Sequence, residues 1–308
     1  MNNLAVRAAS GLVFAIIMIG GILWTPLSFM AVMLLILGGS VREYFIITSS
    51  KREHGTRFSG NGLIAFLFVF TFLFSYMLLS PPVRALPSGS NLLSLLFQAV
   101  MMQRDADISY TALLPMLLFA LFIIELFTEH ENPFVNLGWN VLGAVWILLP
   151  LMLTTKLYFE QGGIFLIAVF CIIWFYDSAC YVAGSLFGKH PMFARISPKK
   201  TWEGLAGGVL LTLTAAYFLP LLPWLQMLHR AEWMVLAAVI IFAATFGDLV
   251  ESLLKRSLNI KDSGNIMPGH GGFLDRFDAY FLSVPFVVFI MWVFNQVRGL
   301  QLLMDFVG

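Results

Sequence analysis

Runs of about twenty consecutive apolar residues recur along this chain, and a helix of that length is long enough to cross the hydrocarbon core of a bilayer. Nine such stretches stand near residues 8–24, 27–48, 62–79, 110–127, 140–156, 163–187, 203–223, 232–250 and 279–297. A segment in lipid must satisfy every backbone N–H and C=O internally, so these stretches predict an all-α, polytopic membrane bundle of about nine transmembrane helices. With 59% of the 308 residues hydrophobic and 11% charged, no stretch the size of an ordinary soluble domain is left once the spans are set aside. The first stretch runs past Trp24 and Pro26 into the second and reads as a retained helix rather than a cleaved leader. Cys171 and Cys180 share one apolar stretch and are expected to be buried small residues.

Basic residues fix the orientation. With the N-terminus in the cytoplasm, nine spans place 13 of the 18 Lys and Arg on the cytoplasmic side, in agreement with the positive-inside rule. Residues 1–160 then read as membrane scaffold helices. Residues 161–308 read as catalytic membrane helices, with cytoplasmic loops at 188–202 and 251–278 holding most of the chain's chemistry.

Within that second half, Asp248 and Glu251 follow an apolar run at i, i+3, which puts both carboxylates on one face of a continuing helix. Asp275 and Asp278 repeat the spacing at the start of the last span. An antiparallel helix pair can gather all four, and carboxylate oxygens gathered in this way suit a hard cation such as Mg²⁺ with substrate phosphates completing its shell. Lys255, Arg256 and Lys261 lie between the acids and supply positive charge for phosphates. Gly264, Gly269, Gly271 and Gly272 surround Pro268 and His270, a density that lets backbone N–H groups approach an anion. Asp177 is an ionisable residue inside a span, where an unpaired charge costs about 3 kcal/mol or more, and it is a site candidate on that ground. Gly184 with Gly188, and Gly204 with Gly208, have the spacing of close helix packing. His190 and His229 read as solvated loop residues.

Taken as one unit, Ser252-x-x-Lys255-Arg256-x-x-x-x-Lys261-Asp262-x-Gly264-x-x-x-Pro268-x-His270-Gly271-Gly272-Phe273-x-Asp275-Arg276-Phe277-Asp278 resembles the full signature of the phosphatidate cytidylyltransferase, or CDP-diglyceride synthetase, family. Upstream, Asp177-Ser178, Tyr181, Gly184, Phe187-Gly188-Lys189 and Ser197-Pro198-Lys199-Lys200-Thr201-x-Glu203-Gly204 look like a second block of the same family.

The resemblance implies a Mg²⁺-dependent enzyme that makes CDP-diacylglycerol and pyrophosphate from CTP and phosphatidic acid, for phospholipid biosynthesis. Two anions meet in that reaction and a third departs, so metal ions and cationic side chains are its main requirement. On this reading Asp248, Asp275, Lys200 and Lys255 are catalytic. Asp177, Asp248, Glu251, Asp275 and Asp278 form the metal set, holding Mg²⁺ and a second cation for which K⁺ is the candidate. Lys199, Arg256, Lys261 and Arg276 bind phosphates, while His270, Gly271 and Gly272 contact pyrophosphate. The expected partners are CTP, phosphatidic acid and the bilayer, with no nucleic acid; a homodimer is left open. The expected location is a prokaryotic cytoplasmic membrane with the site facing the cytoplasm and a lateral cavity near Asp177. Acyl-chain tolerance is expected to be broad. Two other readings stand beside this one, a CTP-dependent polyprenol kinase and, from another class, a secondary transporter.

Overall fold

The structure, a computed structural model, describes residues 3–48, 60–79, 106–128, 132–264 and 271–307, without side-chain surroundings for 3–9, 60–62, 76–79, 106–112 and 300–307. Its helices are α1 (Asn3–Trp24), α2 (Pro26–Thr48), α3 (Gly60–Leu79), α4 (Ala106–Leu126), α5 (Pro133–Gln161), α6 (Gly163–Phe187), α7 (Trp202–Phe218), α8 (Arg230–Ser257) and α9 (Leu274–Val307). Each of the nine apolar stretches falls on one of them. Among the described residues, α2, α5, α6, α7 with its following turn, α8 and α9 are long and apolar enough to cross a membrane, while α1, α3 and α4 carry the shorter apolar segments Ser10–Trp24, Leu63–Ser75 and Leu113–Leu126. Large apolar side chains such as Leu12, Trp24, Phe66, Phe119 and Leu186 are exposed, a surface that suits lipid and not water.

Local chemistry sets the helix ends. Pro26 and Pro133 open α2 and α5 at positions where a missing N–H costs nothing. Gly162 turns the chain between α5 and α6 at φ +86°, a conformation that favours glycine. The Thr201 hydroxyl accepts from Gly204 N–H to cap α7. His229 and Glu232 form a capping box at the start of α8, so His229 has a structural task beyond solvation. Within α5, residues Ala144–Leu148 form a π turn.

The chain divides into two compact units, Met1–Thr25 with Gln161–Gly308, and Pro26–Glu160. The expected split had placed the first helix with the scaffold. Instead α1 belongs with the C-terminal helices, because Phe14 packs on Trp174 of α6 and Phe277 of α9 with ring centroids 5.9 and 5.7 Å away. In the Pro26–Glu160 unit, Phe29 stacks on Tyr158 at 3.9 Å and the Tyr44 hydroxyl donates to the Trp139 carbonyl at 2.8 Å, joining α2 to α5.

In the other unit, α6 packs on α7 and α8 on α9 through glycines. A Cβ on Gly204 would lie 3.1 Å from Gly184 Cα, and one on Gly208 would overlap Cys180 Sγ, so the small-residue spacing does serve close packing. Phe170 of α6 stacks on Tyr280 of α9 at 4.1 Å, and the Tyr176 and Thr245 hydroxyls share a hydrogen bond between α6 and α8. Cys171 is exposed and Cys180 half-buried, a correction to the expectation that both are buried: only Cys180 faces the α6–α7 contact.

Segment 188–202, read from sequence as a loop, folds into an antiparallel hairpin of β1 (Pro191–Phe193) and β2 (Ser197–Thr201). Of segment 251–278, also read as a loop, residues 251–257 belong to α8 and 274–278 to α9. Consecutive spans run in opposite directions, so the C-terminal ends of α6 and α8, the N-terminal ends of α7 and α9, and the hairpin all lie at one face of this unit.

Candidate active site

Four stretches far apart in sequence deliver charged side chains to that face. Lys200, at the end of β2, places its ammonium 2.6 Å from Asp248 on α8, with 28% and 36% of the two side chains exposed. Asp248 also accepts from the Ser252 hydroxyl one turn later, at 3.3 Å. The pair is partly open to solvent.

Gly247, which no sequence argument singled out, lets α8 approach α9 at this level. A Cβ there would meet the Asp278 carbonyl at 2.9 Å and Ala279 Cα at 3.0 Å, both backbone atoms. Its position just before Asp248, on the side of α8 that meets another helix, was the available signal.

A second charge cluster is buried more deeply. Lys255 lies 2.6 Å from Glu251 Oε2, one turn earlier on α8, and 2.7 Å from Asp275 Oδ1 on α9. Asp275 Oδ2 accepts the backbone N–H groups of Ser263 and Gly272, each at 3.0 Å. Gly271, at φ +81°, sits so close that a Cβ would come within 2.7 Å of the same oxygen. Asp275 therefore gathers both ends of the α8–α9 connection onto one carboxylate. Sequence reasoning assigned it to metal and Lys255 to phosphate; here each is the other's partner.

Glu251 is fully buried, and its Oε1 has no hydrogen-bond partner. Asp278 interacts electrostatically with Asp248, Glu251 and Asp177, all of its own sign, while its carboxylate accepts the Ala279 N–H. An orphaned Glu251 oxygen in a set of four acids that includes Asp177, Asp248 and Asp278 is a place where a cation lowers the energy. Among the described residues no group of three or more His, Cys, Asp or Glu stands close enough to hold a metal ion alone. The donor set nevertheless fits Mg²⁺, which commonly takes one or two protein carboxylates and completes its shell with water and substrate phosphate.

Asp177 is exposed on α6 and interacts with Asp248, Lys200 and Arg276. It lies ten residues before Phe187, about 15 Å from the helix end at the helical rise. Arg276, Lys199 and Lys261 are exposed and make no ion pair shorter than 4 Å among the described residues, which leaves their charges available to a ligand. Arg256, expected on phosphate, donates to the carbonyls of Ile196 in the hairpin and Ile260 after α8, at 3.4 and 3.2 Å. Glu203 accepts from the backbone N–H groups of Lys189 and His190 and from the His190 ring, so His190 belongs to the anchor of the hairpin that carries Lys200. Gly271 and Gly272 lie beside Asp275; His270 lies outside the described residues. A groove of about 770 Å³ runs along α7.

The sequence profile of the cytidylyltransferase family matches residues 5–294. The phosphatidate cytidylyltransferase of Bacillus subtilis (strain 168) is 34% identical over 192 residues, covering 61% of this chain and 69% of that protein. That of Rickettsia felis is 37% identical over 167 residues, covering 52% and 74%. That of Staphylococcus epidermidis is 41% identical over 131 residues, covering 41% and 48%.

Proposed function

The chain belongs to the cytidylyltransferase family, and on that premise we propose that it is a membrane enzyme transferring the cytidylyl group of CTP to phosphatidic acid, giving CDP-diacylglycerol and pyrophosphate. The observation that carries the reading is the convergence of Lys200, Asp248, Glu251, Lys255, Asp275 and Asp278 at one face of a single compact unit.

The chemistry follows from charge. An oxygen of the lipid phosphate forms a new bond to the α-phosphorus of CTP, while the bond from that phosphorus to the bridging oxygen of pyrophosphate breaks and its electron pair leaves with the pyrophosphate. The attacking oxygen is already anionic at neutral pH, so no strong base is required. Lys200 meets phosphate oxygens on this reading, exchanging Asp248 for them, a role that its partly exposed pair supports, and Lys199 and Arg276 add exposed positive charge. Lys255, held between Glu251 and Asp275, keeps the α8–α9 connection in register. Glu203 and Arg256 hold the hairpin so that Lys200 arrives over Asp248.

Asp248 and Asp278 are the residues that would hold Mg²⁺, with Glu251 adding negative charge nearby. When bound, the ion offsets charge on the triphosphate and on the departing pyrophosphate. The second cation, with K⁺ as candidate, would draw on the neighbouring Asp177. The distribution of Lys and Arg supports a cytoplasmic membrane with this face inward, beside cytosolic CTP.

The test is pyrophosphate release by purified protein in detergent with CTP and Mg²⁺. One pyrophosphate per CTP consumed, and only when phosphatidic acid is added, is the expected result. Release of CDP would favour the lipid kinase, and no consumption of CTP would remove the enzyme reading.

A further inference from the structure

The α7 groove is apolar and open, lined by Trp202, Ala206, Leu210, Leu213 and Tyr217 with Met234 from the start of α8. These α7 residues recur at three- and four-residue intervals and so share one face, while Gly204 and Gly208 on the other side pack against α6. Over its apolar window α7 is 22% buried, against 44–61% for the other span-length helices. One face of this helix is therefore left for something other than protein of the same unit.

Two features say what covers it. First, the groove begins close to the charged site along the chain: Trp202 is two residues beyond Lys200, within about 7 Å even in a fully extended chain. Second, a cation stands near its far end: Arg230 lies over the Tyr217 ring at 5.0 Å and donates to the Tyr217 hydroxyl. From Trp202 to Tyr217 the helix rises about 22 Å, more than the roughly 15 Å of hydrocarbon in one leaflet. The groove is thus an open apolar track that starts two residues from Lys200 and is long enough for a whole fatty chain.

We propose that this groove seats one acyl chain of the phosphatidic acid substrate, with the lipid phosphate at Lys200. The inference rests on the cytidylyl-transfer reading and adds a consequence to it: the enzyme measures chain length against the depth of α7, where sequence alone suggested broad tolerance.

The test compares kcat/KM for dioctanoyl and dipalmitoyl phosphatidic acid in mixed micelles of the full-length protein. Ala206→Phe, which fills the groove, is expected to lower the long-to-short ratio about tenfold. Leu35→Phe, at an exposed apolar position of α2, is expected to leave the ratio as in wild type. An unchanged ratio in Ala206→Phe overturns the proposal, as does a change in oligomeric state of that variant, which would assign the face to a second copy. A measurement on the unaltered protein stands beside this one: phosphatidic acid carrying a photoreactive group in mid-chain should label residues 202–217. Excess unlabelled phosphatidic acid should remove the label and phosphatidylcholine should not. Labelling elsewhere, or equal displacement by both lipids, overturns the proposal. If wild type converts neither substrate, the transfer reading fails instead, and the photolabel still decides the groove.

Discussion

The Lys255 ammonium lies 2.7 Å from Asp275 Oδ1, tying the last turns of α8 to the first turn of α9. Only 13% and 8% of these side chains are exposed, and Glu251 completes the triad at 2.6 Å. By contrast, Lys200 and Asp248 form a pair with about a third of each side chain open to solvent. The same residue types therefore divide the work: a buried knot that holds the connection, and an open pair that can exchange partners.

Lys255→Met leaves Glu251 and Asp275 facing each other without their cation. Breaking a buried ion pair from one side costs about 3–5 kcal/mol, so thermal unfolding in detergent should show a large fall in Tm. A shift no greater than that of an exposed pair would contradict the structural role.

Lys200→Met should behave in the opposite way. Loss of a partly exposed pair costs about 1 kcal/mol or less, whereas removal of a cation aimed at developing charge lowers kcat by about 10²–10³. Unfolding and turnover measured on the same preparation separate the two effects. Equal turnover in the variant and wild type would remove Lys200 from the site.

Asp278→Asn and Asp248→Asn should each move the half-saturating Mg²⁺ concentration upward by about tenfold or more, and chelation of Mg²⁺ should abolish turnover. The check is a Mg²⁺ titration of initial rate. Unchanged half-saturation in both variants would show that these acids do not hold the ion.

Gly247→Val places carbon against the Asp278 carbonyl and Ala279 Cα, backbone atoms that cannot rotate away. Overpacking of this kind costs about 1–3 kcal/mol, and the separation of α8 from α9 should lower turnover as well. Wild-type Tm and rate in this variant would mean that the approach of the two helices does not shape the site.

The nine α-helices among the described residues were legible in the sequence because each span is written as a run of apolar residues, and lipid leaves such a run little choice but helix. The charged residues were legible through their spacing at helix ends. Their partners were not: sequence gives Lys200, Lys255, Asp248 and Asp275 equal standing, and only the Gly247 approach and the direction of α9 decide that Lys255 reaches Asp275. The hairpin was missed because its strands are three and five residues long and include Pro191, Pro198 and adjacent lysines, a pattern that reads as loop. The placement of α1 was hidden for a similar reason. Phe14 is one apolar residue among many, and nothing local says that it packs on Trp174 and Phe277.

The most direct test follows the phosphorus atoms of CTP. Purified protein is given phosphatidic acid, Mg²⁺ and CTP labelled in separate reactions at the α or the γ phosphate, and the lipid is then extracted. Cytidylyl transfer predicts that the α label enters the lipid phase and the γ label leaves as pyrophosphate; γ label in the lipid, or no label in it from either CTP, would contradict the account.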